Sequence, residues 1–254
     1  MHKAVAIIPA RFDATRFPGK PLALLRGKPI IQHVYEHATS AKLIDFVVIA
    51  TDDSRIFDVV NSFGGKAVMT SSDHESGTDR IAEAADEIEC EYVVNVQGDE
   101  PFIRPEMIDD VVGLLCNDDK ASISTLAKKI TDIHDIQSPH VVKVVTDKRG
   151  YALYFSRSPI PYYRDEWQDS KNNTVNDNRS AVFKHIGIYG FRKEELKRFT
   201  SMEKGRLEQI EKLEQLRALA AGMKIKVGET EFETHGIDTL DDLRRAEEWL
   251  SISL

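Results

Sequence analysis

Three cations stand close together in the segment Pro9-Ala10-Arg11-Phe12-Asp13-Ala14-Thr15-Arg16-Phe17-Pro18-Gly19-Lys20-Pro21, within reach of a single nucleotide. Two arginines and a lysine suit a triphosphate. The guanidinium groups give forked contacts to phosphate oxygens, and the ammonium supplies a point charge where negative charge builds on departing pyrophosphate. The same residues also admit a plainer reading, a solvated basic loop whose ion pairs contribute little. Two commoner nucleotide motifs are excluded. Pro21 follows Gly19-Lys20 where a Walker loop requires Ser or Thr, and Ala14 stands where its first glycine would. No G-x-G-x-x-G follows the first apolar run, which removes the main support for a nicotinamide dehydrogenase.

Carboxylates suited to a divalent cation lie in two distant segments, Asp99 in Gln97-Gly98-Asp99-Glu100-Pro101 and Asp238 in His235-Gly236-Ile237-Asp238-Thr239. Magnesium takes carboxylate oxygens together with water and phosphate oxygens, so one or two aspartates are enough. Taken alone, Asp99 also reads as the turn residue of a Gly-Asp pair, and Asp238 as a residue flanking a helix.

Short β-branched runs alternate with amphipathic stretches over the first half of the chain, the pattern of an α/β fold whose mostly parallel, Rossmann-like sheet is flanked by helices. Strands are expected over Ala4 to Ile8, Phe46 to Ala50, Lys66 to Met69 and Tyr92 to Val96. Helices are expected over Pro29 to Ala41, Ser54 to Phe63 and Thr78 to Ile88. Ligands in such folds bind beyond the carboxyl ends of strands, so the Arg11–Lys20 and Gln97–Glu100 loops should face one crevice. From about Ser122 consecutive strands follow, over 122–127, 141–146, 151–156 and 185–191, as a smaller antiparallel, strand-rich region of about 125–200 within one domain, 1–254. A helix from Leu207 to Ala221, with Ile210, Leu213 and Leu216 facing the core, precedes a strand at 224–227. A last helix from about Leu240 is capped by Thr239 and Asp242. The polar stretch 169–178 has almost nothing to bury and reads as a loop.

Hydrophobic residues make up 41% and charged residues 30% of the chain, ordinary globular usage. A net charge of -8 lacks the basic footprint of nucleic-acid binding and favours small-molecule partners. Cys90 and Cys116 form neither a disulfide framework nor a zinc pattern and read as free thiols. The first apolar run is too short for a signal sequence or a membrane span, so a cytoplasmic protein is expected.

The first loop, read as Ile8-Pro9-Ala10-Arg11 with Arg16-Phe17-Pro18-Gly19-Lys20-Pro21, resembles that of the CMP-Kdo synthetases, or 3-deoxy-manno-octulosonate cytidylyltransferases. Further similar blocks follow in family order: Asp73 to Arg80, Asn95 to Pro101, Ala152 to Arg157, His185 to Gly190 and Leu213 to Arg217. The resemblance spans nearly the whole chain. It departs at Phe17, where leucine is more usual, and at 169–178. It implies the nucleotide-diphospho-sugar transferase type of fold and a reaction in which CTP activates the acidic sugar Kdo for lipopolysaccharide biosynthesis. Magnesium would sit on Asp99 and Asp238. Arg11, Lys20 and Asp99 would be catalytic. Ala10, Arg11, Arg16, Lys20, Ser76, Thr78, Arg80 and Gln97 would bind the nucleotide. Gln97, Arg157, Arg164, His185, Tyr189, Glu214 and Gln215 would line the sugar pocket, with an arginine meeting the Kdo carboxylate. A homodimer through the strand-rich region is implied as well. The rivals are an amino-substituted Kdo or another keto-acid sugar as acceptor, a sugar-phosphate nucleotidyltransferase, and a non-catalytic CTP sensor. Asp99, Asp238, Arg11 and Lys20 standing together favour an enzyme, since a sensor needs no transition-state set.

Overall fold

The computed structural model describes residues 2–13, 16–164 and 182–252, and the polar stretch 169–178 lies outside these. The chain opens on β1 (His2–Ala10), whose residues from Ala4 to Ile8 are wholly buried. Burial on both faces marks a central strand, and β1 pairs in parallel with β4 (Phe46–Thr51) on one side and β6 (Cys90–Asn95) on the other. Between β1 and β4 lie a small hairpin, β2 (Leu24–Leu25) with β3 (Lys28–Pro29), and the helix α1 (Ile30–Thr39). The helix α2 (Ser54–Ser62) follows β4 and leads to β5 (Ala67–Met69), and α3 (Gly77–Asp86) leads to β6.

Alternation along β1 divides the core into two layers. Ala4, Ala6, Ile8 and Ala10 face α1, α2 and a helix absent from the sequence reading, α4 (Pro105–Cys116), through Ile31, Val34, Ile56, Met107 and Val111. Val5 and Ile7 face α3 and the later helices through Ile81, Ala84, Leu196 and Leu216. The result is three layers with the sheet in the middle.

The second half contributes β7 (Ile123–Lys129), α5 (Ile133–Gln137), β8 (Lys143–Thr146), β9 (Ala152–Ser156), β10 (Phe183–Arg192), α6 (Lys193–Thr200), α7 (Arg206–Glu211), α8 (Gln215–Ala220), β11 (Ile225–Glu229) and α9 (Leu240–Ile252). The expected meander of consecutive strands is realised only in the β8–β9 pair. The long strand β10 inserts between β6 and β7, antiparallel to both, and also takes β8 along its edge, while β11 runs parallel to β7. Among the described residues one sheet thus runs β11-β7-β10-β6-β1-β4-β5, with β8 and β9 attached through β10.

A second difference lies at 207–221, expected as one helix. Lys212 takes a left-handed conformation, φ 54°, and divides the segment into α7 and α8. Leu213 and Leu216 are buried as expected, but Ile210 is 66% exposed, because the inward side of α7 carries Glu208, buried against Arg217.

Candidate active site

The chain leaves β1 toward β4 and returns through β6 on the other side, so the loops after β1 and β6 flank the point where strand order reverses, the usual crevice of such sheets. The first loop is pinched at its base. Gly19 N–H donates to the Phe12 carbonyl at 2.8 Å, and Gly19 has φ +72°, which a glycine adopts without strain. The Phe12 ring lies against Gly19 and under the Arg55 guanidinium, 3.3 Å from ring centroid to Cζ. Lys20 is thereby aimed across the crevice.

Its ammonium donates to Asp99 Oδ2 at 2.6 Å and to Asp238 Oδ1 at 3.0 Å, while Arg16 reaches Asp238 Oδ2 at 2.9 Å. Burial opposes the charge on Lys20, but the two carboxylates outweigh it and raise its pKa. Residues far apart in sequence therefore meet at one point. The two carboxylate segments are also joined through the backbone, Ile237 N–H to the Asp99 carbonyl at 2.9 Å, and Thr239 and Asp242 form the expected capping box behind Asp238. Glu100, next to Asp99, has its pKa pushed up to about 7, first by burial and then by the Asp99 charge.

Arg11 donates to the His74 carbonyl, tying the first loop to the loop before α3. There Ser76 caps α3, accepting from Asp79 N–H at 3.1 Å while the Asp79 carboxylate accepts from Ser76 N–H at 3.2 Å. Arg80, expected as a nucleotide contact, has no exposed surface. Its side chain is fully buried and holds Asp52 at 2.7 Å and Thr70 at 2.5 Å, which anchors the base of α3 to the ends of β4 and β5. Ala10 ends β1 with only 3% of its surface exposed.

Beside this charged cluster is a cavity of about 70 Å³ lined by Thr78, Asn95, Gln97, Tyr189, Glu214 and Gln215, closed by Ile123, Phe191 and Phe199. Asn95 Nδ2 donates to Thr78 Oγ1 at 3.4 Å, and Gln97 Nε2 donates to Asn95 Oδ1 at 3.3 Å. Burial raises the pKa of Glu214, and burial, with the Glu214 charge, holds Tyr189 well above the ordinary tyrosine value. The break at Lys212 is what brings Glu214 and Gln215 to this wall. Asn95 is not among the site residues expected from the sequence, although a carboxamide inside the apolar run Tyr92-Val93-Val94-Asn95-Val96 was a signal for it.

His185 lies at the far side of Tyr189, ring centroids 5.2 Å apart, hydrogen-bonded through Nε2 to Thr125 Oγ1 at 2.9 Å. Burial lowers its pKa to about 3, so the ring is neutral at physiological pH. Arg157 does not line the cavity. Its guanidinium donates to the carbonyls of Glu211 at 2.7 Å and Pro139 at 2.9 Å. Arg164 is exposed at the end of a described segment.

Among the described residues no cluster of three or more His, Cys, Asp or Glu side chains is arranged for a metal, and no helix is long and apolar enough to cross a membrane. Two carboxylates already gathered around one cation nevertheless suit a hard divalent ion that takes its remaining ligands from phosphate and water. The donor chemistry fits magnesium.

A cytidylyltransferase family model matches residues 5–225. The 3-deoxy-manno-octulosonate cytidylyltransferase of Thermodesulfovibrio yellowstonii is 56% identical, covering 97% of this chain and 98% of that protein. The one from Geobacter sulfurreducens is 53% identical over 96% and 98%. A solved CMP:2-keto-3-deoxy-manno-octonic acid synthetase in complex with CTP superposes with TM-score 0.90 at 41% identity, covering 99% of this chain and 100% of that one. A Leptospira borgpetersenii cytidylyltransferase, 18% identical with TM-score 0.65, shares the fold. With more than half of its residues identical over nearly its whole length, the chain belongs to the cytidylyltransferase family, on the branch of the 3-deoxy-manno-octulosonate cytidylyltransferases.

Proposed function

We propose that this enzyme transfers the cytidylyl group of CTP to the anomeric hydroxyl of Kdo, forming CMP-Kdo and pyrophosphate for lipopolysaccharide biosynthesis in the cytoplasm. The observation that carries this reading is the continuity of the two halves of the site. Gln97 faces the polar cavity, while Asp99, two residues on, meets Lys20 and Asp238. An acceptor in the cavity therefore lies beside a triphosphate held by Arg11, Arg16 and Lys20.

The acceptor oxygen forms a bond to the α-phosphorus as the bond to pyrophosphate breaks, and the hydroxyl proton is released. Lys20 and Arg16 meet the charge that moves onto the leaving group, and the capped loop at Ser76 together with Thr78 receives the nucleoside. Asp99 and Asp238 would hold magnesium, which supplies Lewis-acid stabilisation of the phosphoryl charge when bound. Gln97, Tyr189, Glu214 and Gln215 position a polyhydroxy acceptor, so that orientation supplies much of the acceleration. Arg157 uses carbonyl partners for part of its five-donor fork, and the remaining donors suit a carboxylate.

Pyrophosphate release with each nucleoside triphosphate, against Kdo, its amino analogue, a sialic acid and a sugar phosphate, tests the reading. Turnover with CTP and Kdo above all other pairs is expected. Binding of CTP with no release for any acceptor would leave a sensor. Assembly as a homodimer belongs to the same reading, supported by Leu153 and Tyr162, which are 61% and 65% exposed near the β8–β9 pair. Sedimentation equilibrium is expected to give twice the 28.7 kDa chain mass.

A further inference from the structure

Lys143 opens β8 with none of its surface exposed, and its hydrogen-bond partners among the described residues are all backbone carbonyls. The ammonium donates to Ser138 at 2.8 Å, Val141 at 2.5 Å and Arg157 at 2.6 Å. An ammonium has three donors, so its capacity is filled. Burial and the neighbouring Arg157 charge hold its pKa below the usual lysine value, so charge at this place is maintained against a cost. An apolar side chain of similar length would fill the space but leave these three carbonyls without their donor.

The segment Lys143 gathers is the one on which Arg157 leans. Lys143 takes the carbonyls of residues 138 and 141, and the Arg157 guanidinium takes that of residue 139 between them. Lys143 also takes the carbonyl of Arg157 itself. On its other side Arg157 is bound to the end of α7. Its N–H donates to Glu211 Oε2 at 3.0 Å, its Nε donates to the Glu211 carbonyl, and Ser156 Oγ donates to Glu211 Oε1 at 2.8 Å. The chain turns there through left-handed Lys212 into the segment carrying Glu214 and Gln215. None of these contacts reaches the Lys20, Asp99 and Asp238 cluster.

We propose that Lys143 is a positioning residue for the acceptor half of the site, fixing the Arg157 guanidinium by holding both its main chain and the carbonyl segment against which it rests. The proposal rests on the reading that Arg157 meets the carboxylate of an acidic sugar. Pyrophosphate release is to be measured for wild type, Lys143→Met, Arg157→Ala and the double variant, with CTP binding without acceptor measured by calorimetry and folding by thermal melting. Lys143→Met is expected to raise KM for Kdo about tenfold, the scale of one charge-assisted contact, and to leave CTP affinity within about twofold. In the Arg157→Ala background the same substitution is expected to add almost nothing, because a residue that acts through another has no effect once that other is gone. Equal losses in both backgrounds, or a parallel fall in CTP affinity, would overturn the proposal. If Lys143→Met does not fold, Lys143→Gln carries the comparison; if neither folds, Lys143 is a determinant of the fold and the proposal fails. A wild type inactive with Kdo overturns the acceptor reading itself. An active wild type matched by Lys143→Met overturns only the role of Lys143.

Discussion

Lys20 neutralises two carboxylates that would otherwise face each other across the crevice, and a metal-bound triphosphate would relieve it of that duty. Lys20→Met is expected to lower the thermal midpoint, and millimolar magnesium to raise the midpoint of the variant more than that of wild type, since binding to the folded state alone stabilises it. Equal magnesium shifts would show that the aspartates do not hold the ion. Asp99→Asn is expected to cost about a hundredfold or more in kcat, the scale of removing one preorganised electrostatic group, and turnover of wild type should cease in chelator and return with magnesium. A variant within twofold of wild type would return Asp99 to the role of a turn residue. His185 makes a separate, pH-dependent contribution. Its folded pKa of about 3 lies below the ordinary value of 6.5, so the unfolded chain binds the extra proton. The stability it contributes is complete above pH 6.5 and is lost as pH falls toward 3, by roughly 2 kcal/mol at pH 5. Chemical denaturation at pH 7 and 5 should show a smaller loss for His185→Gln, and an unchanged loss would mean that the ring titrates in the folded protein.

At the scale of elements, the loop after β6 can lie against β1 only because residue 98 is glycine. A Cβ there would stand 2.6 Å from the Pro9 carbonyl oxygen, a backbone atom that cannot move without shifting β1. Gly98→Ala should therefore displace Asp99 and lower kcat at least tenfold while the protein remains folded, a result checked by kinetics beside a melting curve. Arg80 offers the opposite pattern. Buried with Asp52 and Thr70, it is expected on replacement by Met to cost about 3–5 kcal/mol of stability, with near-normal KM for CTP below the lowered transition. A large KM change in a fully stable variant would restore Arg80 to the nucleotide site. The difference between these residues explains what the sequence made legible. That Arg16, Lys20, Asp99 and Asp238 would gather at one crevice was readable, because residue type and loop position are local. Whether a long arginine side chain points into a crevice or is buried beneath it, as Arg80 is, depends on partners far along the chain. The αL residue dividing α7 from α8 was invisible for a similar reason, since a lysine carries no sign of left-handed backbone.

For the molecule as a whole, the parallel strands β1, β4 and β6 were legible because burial on both faces leaves unbroken apolar runs. The position of β10 between β6 and β7 was not, because strand order is set by long-range pairing and its local pattern resembles any half-buried strand. That placement puts Tyr189 opposite Asn95, register partners across an antiparallel pair, and so builds one wall of the polar cavity from the strand adjoining the loop that carries Asp99. The pinched first loop and the glycine against Pro9 anchor the loops carrying Lys20 and Asp99, proposed for the phosphates, to the most deeply buried strand, whereas the half proposed for the acceptor depends on the turn between α7 and α8 and on the end of β9. The two halves therefore differ in how freely they can drift: substitutions around the turn can retune which sugar is accepted while the bond-making apparatus stays fixed. New acceptor ranges in this scaffold should arise from a few changes at 211–215 and 157, without any compensating change in the loops that hold the nucleotide.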